Sequence, residues 1–213
     1  MSKDAHGAEP PSSLEDKLNE AEKAADELNR ALLDVNEDIR RLFPYVPSED
    51  DLNAFLAAYG SAISSWQLVE SALYEVYRAI TRSQRPGAEA AAYFAVPAFR
   101  TRLNMTSSAV RYALTGKADL IEEWRLILKR AGKKSERRNE MAHGVVWSMW
   151  MEPNPERRIH VGRLSEDTRS EINPTKQPPQ PLTLTRVRQY EADFRDLSKT
   201  LRIFSYKIRQ LPA

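Results

Sequence analysis

Over residues 14–42, LEDKLNEAEKAADELNRALLDVNEDIRRL, apolar side chains return after four positions, then three, without a break. Leu14, Leu18, Ala21, Ala25, Leu28, Leu32, Val35, Ile39 and Leu42 make the series. A helix turns once in about 3.6 residues, so this alternation lays them along one stripe for four heptads. Ser12 or Ser13 suits the N-cap, and Pro44 and Pro47 close the segment. The central alanines let a partner helix come close. The stripe has two possible partners, a second copy of itself or the body of the same chain, and the spacing serves both.

Helical spacing continues downstream. A second helix is expected from Asp50 or Asp51, with Leu52, Phe55, Leu56, Tyr59, Ile63, Trp66, Val69, Leu73, Val76, Tyr77 and Ile80 inward. Glu70 stands one turn beyond Trp66, beside that stripe. The run SQRPG breaks the helix, and GAEAAAYFAV reads as a short helix or turn. Pro97 fits the first turn of a helix over roughly 97–114, with Phe99, Leu103, Val110 and Leu114 inward. Asp119 caps the next helix, in which Leu120, Trp124, Ile127, Leu128, Ala131, Arg138, Met141 and Ala142 recur at helical spacing. Gly144 then fits a C′ glycine, and Gly132 is a possible break.

Two β-branched and aromatic runs flank PNPE, which predicts a β-hairpin over 145–164. Residues 165–182 are polar, hold four prolines and read as a loop. A last helix over 185–210 turns Val187, Tyr190, Phe194, Leu197, Leu201, Phe204 and Ile208 inward. The expected class is all-α. A disordered lead-in (1–13) and a heptad helix (14–43) precede a helical bundle (50–213) that carries the small hairpin.

Composition removes several functions. No stretch approaches eighteen apolar residues, so no membrane span is expected, and the N-terminus lacks the apolar core of a signal peptide. Without cysteine there are no disulfides and no thiolate metal ligands, which fits the cytoplasm. Three scattered histidines make no metal site; His6 lies in the lead-in and His160 in the hairpin, both read as surface residues. No phosphate loop, nucleophile elbow or dinucleotide glycine signature is present, so no cofactor is expected. Trp66 and Trp124 fall on core stripes. Trp147 and Trp150 fall on opposite faces of their strand, leaving one free to stack on a base.

The net charge is only +2, but base is concentrated at Arg125, Lys129, Arg130, Lys133, Lys134, Arg137 and Arg138, opposed in that stretch by Glu136 alone. Such a run either holds phosphates or is a solvated helix face. Lys133, Lys134 and Arg137 are the candidate RNA contacts. The run ends in RRNEMAHG, residues 137–144. On a helix Asn139 and His143 share a face, so the carboxamide is placed to orient the imidazole. Arg138 is rotated about 140° from His143, which calls for a distorted helix end or for two copies of the motif. An imidazole that moves a proton and a permanently charged guanidinium that steadies a phosphorane suit metal-independent RNA cleavage. The plain alternative is a helix terminus capped by its own polar residues.

Arg138-Asn139-Glu140-Met141-Ala142-His143 resembles the R-N-x-x-x-H motif of the HEPN superfamily. Gly144 and Trp147 resemble residues that follow it in some bacterial members, and residues 66–73, WQLVESAL, resemble the first core helix of such domains. The resemblance covers about residues 50–150. It implies a helical bundle that dimerises and joins two motifs in one cleft, as in metal-independent ribonucleases of toxin–antitoxin and antiviral systems. It would make Arg138 and His143 the catalytic pair, Asn139 their polar support and Glu70 a residue supporting them from behind. Expected partners are RNA, a second copy, and an antitoxin or other protein at the N-terminal helix. Other members of this superfamily are non-catalytic modules that bind protein, nucleotide or RNA, and that reading stands beside the first.

Overall fold

The computed structural model describes residues 14–43, 45–149, 152–162 and 182–212. The lead-in with His6, Trp150 and most of the proline-rich loop lie outside the described residues. Six α-helices follow in order: α1 (Leu14–Leu42), α2 (Glu49–Thr81), α3 (Pro86–Phe94), α4 (Phe99–Ala113), α5 (Ala118–Ala142) and α6 (Leu184–Arg209). Between α5 and α6 lies an antiparallel hairpin of β1 (Val145–Ser148) and β2 (Ile159–Gly162), in the register Val145 to Gly162. The chain is an all-α bundle with a small hairpin, as its periodicities predict.

The core is built on α2 and α6. Along α2, Ala58, Ala62, Ser65, Val69, Ala72, Val76 and Ala79 are buried and recur at alternating spacings of four and three. Along α6 the buried series is Val187, Tyr190, Phe194, Leu197, Leu201, Phe204 and Ile208. Small side chains on one helix meet large ones on the other, which lets the axes approach closely. Ser61 donates to Glu191 at 2.7 Å, Arg195 to Ser65 at 3.3 Å, and Arg82 to the Leu211 carbonyl at 2.8 Å. These links ascend both chains together, so the two helices run parallel. The expected stripe on α2 shares Val69 and Val76 with this seam and buries Phe55, Trp66 and Leu73 beside it, but Leu52 and Leu56 are exposed and the alanines are not part of the expectation.

Helix α2 starts at Glu49, one or two residues before the expected Asp50 or Asp51. Ser48 is the N-cap, its hydroxyl accepting from the Asp51 N–H at 3.1 Å while Asp51 accepts from the Ser48 N–H at 3.2 Å. Those hydrogen bonds hold the Asp51 carboxyl below its usual range. Pro86, not Pro97, occupies a helix N-terminus; Pro97 precedes the Ala98 N-cap of α4. Helix α5 runs through Gly132 without a break, so the motif sits on one continuous rod.

Beside this seam, Trp66 packs edge-on against Phe99 of α4 and Phe194 of α6, at centroid distances of 4.6 and 5.1 Å. Trp124 stacks on Phe204 at 5.4 Å, and its indole N–H donates to Ser107 at 3.2 Å. Trp66 and Trp124 are thus core residues. By contrast, α1 is not packed on the bundle: Leu18, Leu28, Leu32, Val35 and Leu42 are all more than half exposed.

Ala72 has no exposed surface, so the seam has no room for a larger residue there. Ala72→Leu is expected to lower stability by roughly 1–3 kcal/mol, the usual cost of overpacking. A fall in the denaturant midpoint checks it, and an unchanged midpoint would mean the seam is loosely packed.

Candidate functional site

Four contacts fix the end of α5 that carries the motif. Met141 is fully buried, and its carbonyl accepts a 2.7 Å hydrogen bond from the Tyr59 hydroxyl on α2. Burial pushes the Tyr59 phenol up from its ordinary range, which keeps the donor protonated. Glu140 pairs with Arg137 at 2.9 Å and accepts from Tyr190 of α6 at 3.4 Å, while the Arg137 guanidinium lies 5.7 Å from the Tyr190 ring. The helix stops at His143, whose backbone has φ −106° and ψ 3° and whose N–H reaches the Asn139 carbonyl at 3.1 Å.

Gly144 follows. Among the described glycines only Gly116 has positive φ, so Gly144 is not the left-handed C′ residue that the sequence suggests. Space is the reason for it. A Cβ there would collide with Val161 Cγ1 and lie 2.9 Å from the Glu140 carbonyl oxygen. Strand β2 therefore packs directly on the end of α5. Val161 is in turn bridged to Leu182, at 3.0 and 3.2 Å, so the expected loop is already pinned at its last residue.

Arg138 and Asn139 line a cavity of about 440 Å³ between α2, α4 and α5, together with Trp66, Glu70, Phe99, Arg100, Asn104, Leu128, Gly132, Ser135 and Glu136. Thus Arg138, Asn139 and Glu70 meet at one depression. His143 does not line it; the imidazole is exposed and, among the described residues, has no hydrogen-bond partner. Arg138 lines the cavity and His143 does not, so the two are not brought together within one chain. Asn139 also turns differently from the expectation. Its Oδ1 accepts from the Arg138 guanidinium at 3.2 Å, so the carboxamide serves the arginine and not the imidazole.

Glu70 is held from behind. Its Oε1 accepts from the Trp66 indole at 2.7 Å, and its Oε2 from Arg102 at 2.5 Å. The two side chains are only 9% and 14% exposed, with Arg102 first. Arg102 also lies about 6 Å from the Tyr93 and Phe94 rings, at 6.0 and 5.9 Å. Tyr93 is buried, and burial raises its pKa to about 12. Sequence reasoning missed Arg102. The available signal was its place beside Leu103, one turn before the buried Thr106.

The basic run is largely neutralised. Arg125 pairs with Glu122, Arg130 with Asp196, Lys134 with Asp193 and Arg137 with Glu140. Of the candidate RNA contacts, Lys134 and Arg137 are therefore engaged, and Lys133 is exposed without an ion-pair partner among the described residues. Arg138 also has no carboxylate within ion-pair distance among those residues. On the hairpin, Trp147 is exposed, paired across the strands with His160 and lying against Gly162. His160 Nδ1 is 3.0 Å from the Arg157 carbonyl oxygen, a local structural contact.

Among the described residues no group of three or more His, Asp or Glu is placed to hold a metal ion, and no helix is long and apolar enough to cross a membrane. In comparison with known proteins, the chain matches no family model, no curated sequence and no solved structure.

Two substitutions test this geometry. Gly144→Ala should cost roughly 1–3 kcal/mol through overpacking, and adding Val161→Ala should recover part of the loss in thermal unfolding. Glu70→Gln strands the Arg102 charge and should cost roughly 3–5 kcal/mol. The pair Glu70→Leu with Arg102→Met should unfold later than Glu70→Gln alone; an earlier transition would place the role of Glu70 outside the ion pair.

Proposed function

We propose that this chain is a metal-independent ribonuclease of HEPN type, working as a homodimer in phage defence or a toxin–antitoxin pair. One observation carries the reading. Within R-N-x-x-x-H, Arg138 is the guanidinium of the basic run that faces a nucleotide-sized cavity with no carboxylate partner among the described residues. Ion pairs take up four of its neighbours, and Asn139 steadies Arg138 from the next position.

The chemistry is transesterification. The ribose 2′-oxygen attacks the adjacent phosphorus as its proton passes to an imidazole. The phosphorus–O5′ bond breaks, and the leaving oxygen takes up a proton. The products are a 2′,3′-cyclic phosphate and a 5′-hydroxyl. Arg138 contributes by stabilising the charge on the phosphorane oxygens. His143 supplies the proton-transfer group. Because the two diverge on one helix, the cleft is assigned to two chains, Arg138 of one serving beside His143 of the other.

The exposed imidazole and the neutralised basic face favour a second reading, a non-catalytic module that binds protein, nucleotide or RNA. Cleavage of mixed RNA in EDTA separates the two. Wild type is expected to cut and leave cyclic phosphate ends. Arg138→Ala and His143→Ala should each lose at least about a hundredfold in rate, the scale of removing one charge-stabilising or acid–base group. Mixing the two inactive variants should restore part of the activity through hybrid dimers. Full cleavage by either variant would sink the site, and an inactive wild type that still binds RNA would favour the module.

A further inference from the structure

We propose that α1 is a self-association segment, through which two copies of this chain pair as an antiparallel two-stranded coiled coil. The proposal is independent of the ribonuclease reading. The surface is unmistakably apolar: Leu18 is 62% exposed, Leu28 62%, Leu32 57%, Val35 55% and Leu42 71%. These residues share one heptad stripe that runs for four repeats, long enough to specify a coiled coil. Among the described residues the helix makes no substantial contact with another element, and the stripe lies open.

The stripe's own side chains choose the orientation. A parallel pair places like on like, so Ala21 faces Ala21 and Ala25 faces Ala25, two thin layers in succession between leucine layers. An antiparallel pair sets the alanines against large residues. In one register Ala25 meets Val35 and Leu28 meets Leu32; in the neighbouring register Ala21 meets Leu32 and Ala25 meets Leu28. Either keeps the layers of even volume, which close packing favours. It is the solution the bundle already uses between α2 and α6.

Charge points the same way. Residues 14–27 hold six acids and two bases, whereas residues 28–42 hold three of each. Parallel pairing stacks the two acidic halves together. Antiparallel pairing sets each acidic half against a neutral one, and in the register that pairs Ala21 with Leu32 it brings Lys17 beside Asp38 of the other helix. The helix dipoles also oppose one another in this arrangement.

The C-termini of antiparallel helices lie at opposite ends, roughly 36 Å apart for the 24 residues from Leu18 to Leu42. The coil therefore does not itself unite the motif ends of the two bundles. If bundles also pair through those ends, the two interfaces together give a tetramer.

Light scattering on the full chain tests the surface. Leu28→Asp with Leu32→Asp should halve the mass, tetramer to dimer or dimer to monomer, with the bundle's thermal transition preserved. An unchanged mass, as when α1 folds onto Leu52 and Leu56 of its own chain, would overturn the proposal. The halving is expected whether or not the chain cuts RNA. Orientation is read by oxidation, because the natural chain has no cysteine. Leu18→Cys alone should give little covalent dimer, but should cross-link when mixed with Leu42→Cys or Val35→Cys chains. Efficient cross-linking of Leu18→Cys to itself would make the coil parallel and overturn the orientation.

Discussion

Everything in this bundle hangs on the contact between α2 and α6. The two helices are far apart in sequence, lie parallel, and bury a small-residue seam against a large-residue one. Because the axes can come close, Ser65, Ala62 and Ala72 of α2 are nearly as deeply buried as Phe194 and Phe204 of α6. The remaining helices take their places from this pair. Trp66 of α2 packs on Phe194 of α6 and on Phe99 of α4, and Trp124 of α5 stacks on Phe204 of α6. Helix α5 is thus held along its length from α6 and at its end from α2.

That end is unusually constrained for a helix terminus. A terminal carbonyl normally looks to water, but the Met141 carbonyl is taken by Tyr59, and the next turn is closed by a strand packed on a glycine. Such anchoring fixes Arg138 and Asn139 on the cavity wall while leaving His143 free at the last turn. Among the described residues the imidazole has no hydrogen bond. The anchoring of the turn before it arises from packing that the octapeptide itself does not encode.

The sequence disclosed what depends on local periodicity. The α6 stripe reads directly from its spacing, and every residue assigned to its inner face is buried. Contacts between distant helices were less legible. The alanine seam of α2 looked neutral because small residues carry little hydrophobic signal, and its meaning appears only against the large residues of α6. The basic run looked uncompensated because Asp193 and Asp196 lie about sixty residues later, as the pairs at separations of 59 and 66 show. Arg102 escaped for a similar reason: a charge beside a core leucine reads as surface until Glu70 and two aromatic rings enclose it. Gly144 was recognised as special, but for backbone conformation instead of room.

The apparent weakness of the basic helix sharpens the functional reading. An evenly charged face would attract any polyanion without orienting it. On α5 the outward cations are largely paired, and exposed pairs of this kind give little net field. Arg138, like Lys129 and Lys133, has no carboxylate within ion-pair distance among the described residues, and of the three it alone lines the cavity, next to an amide and beside an aromatic wall. A phosphate entering the cavity would meet placed charges, Arg138 and Arg100, with Glu70 and Glu136 on the same walls. Directed charge is what phosphorane stabilisation requires, since its benefit depends on the donor being in place before charge develops. In the proposed reading, the imidazole that would move the proton lies outside the cavity that Arg138 lines. A second chain would bring the two groups together, and this geometric need, more than total charge, ties the proposal to self-association.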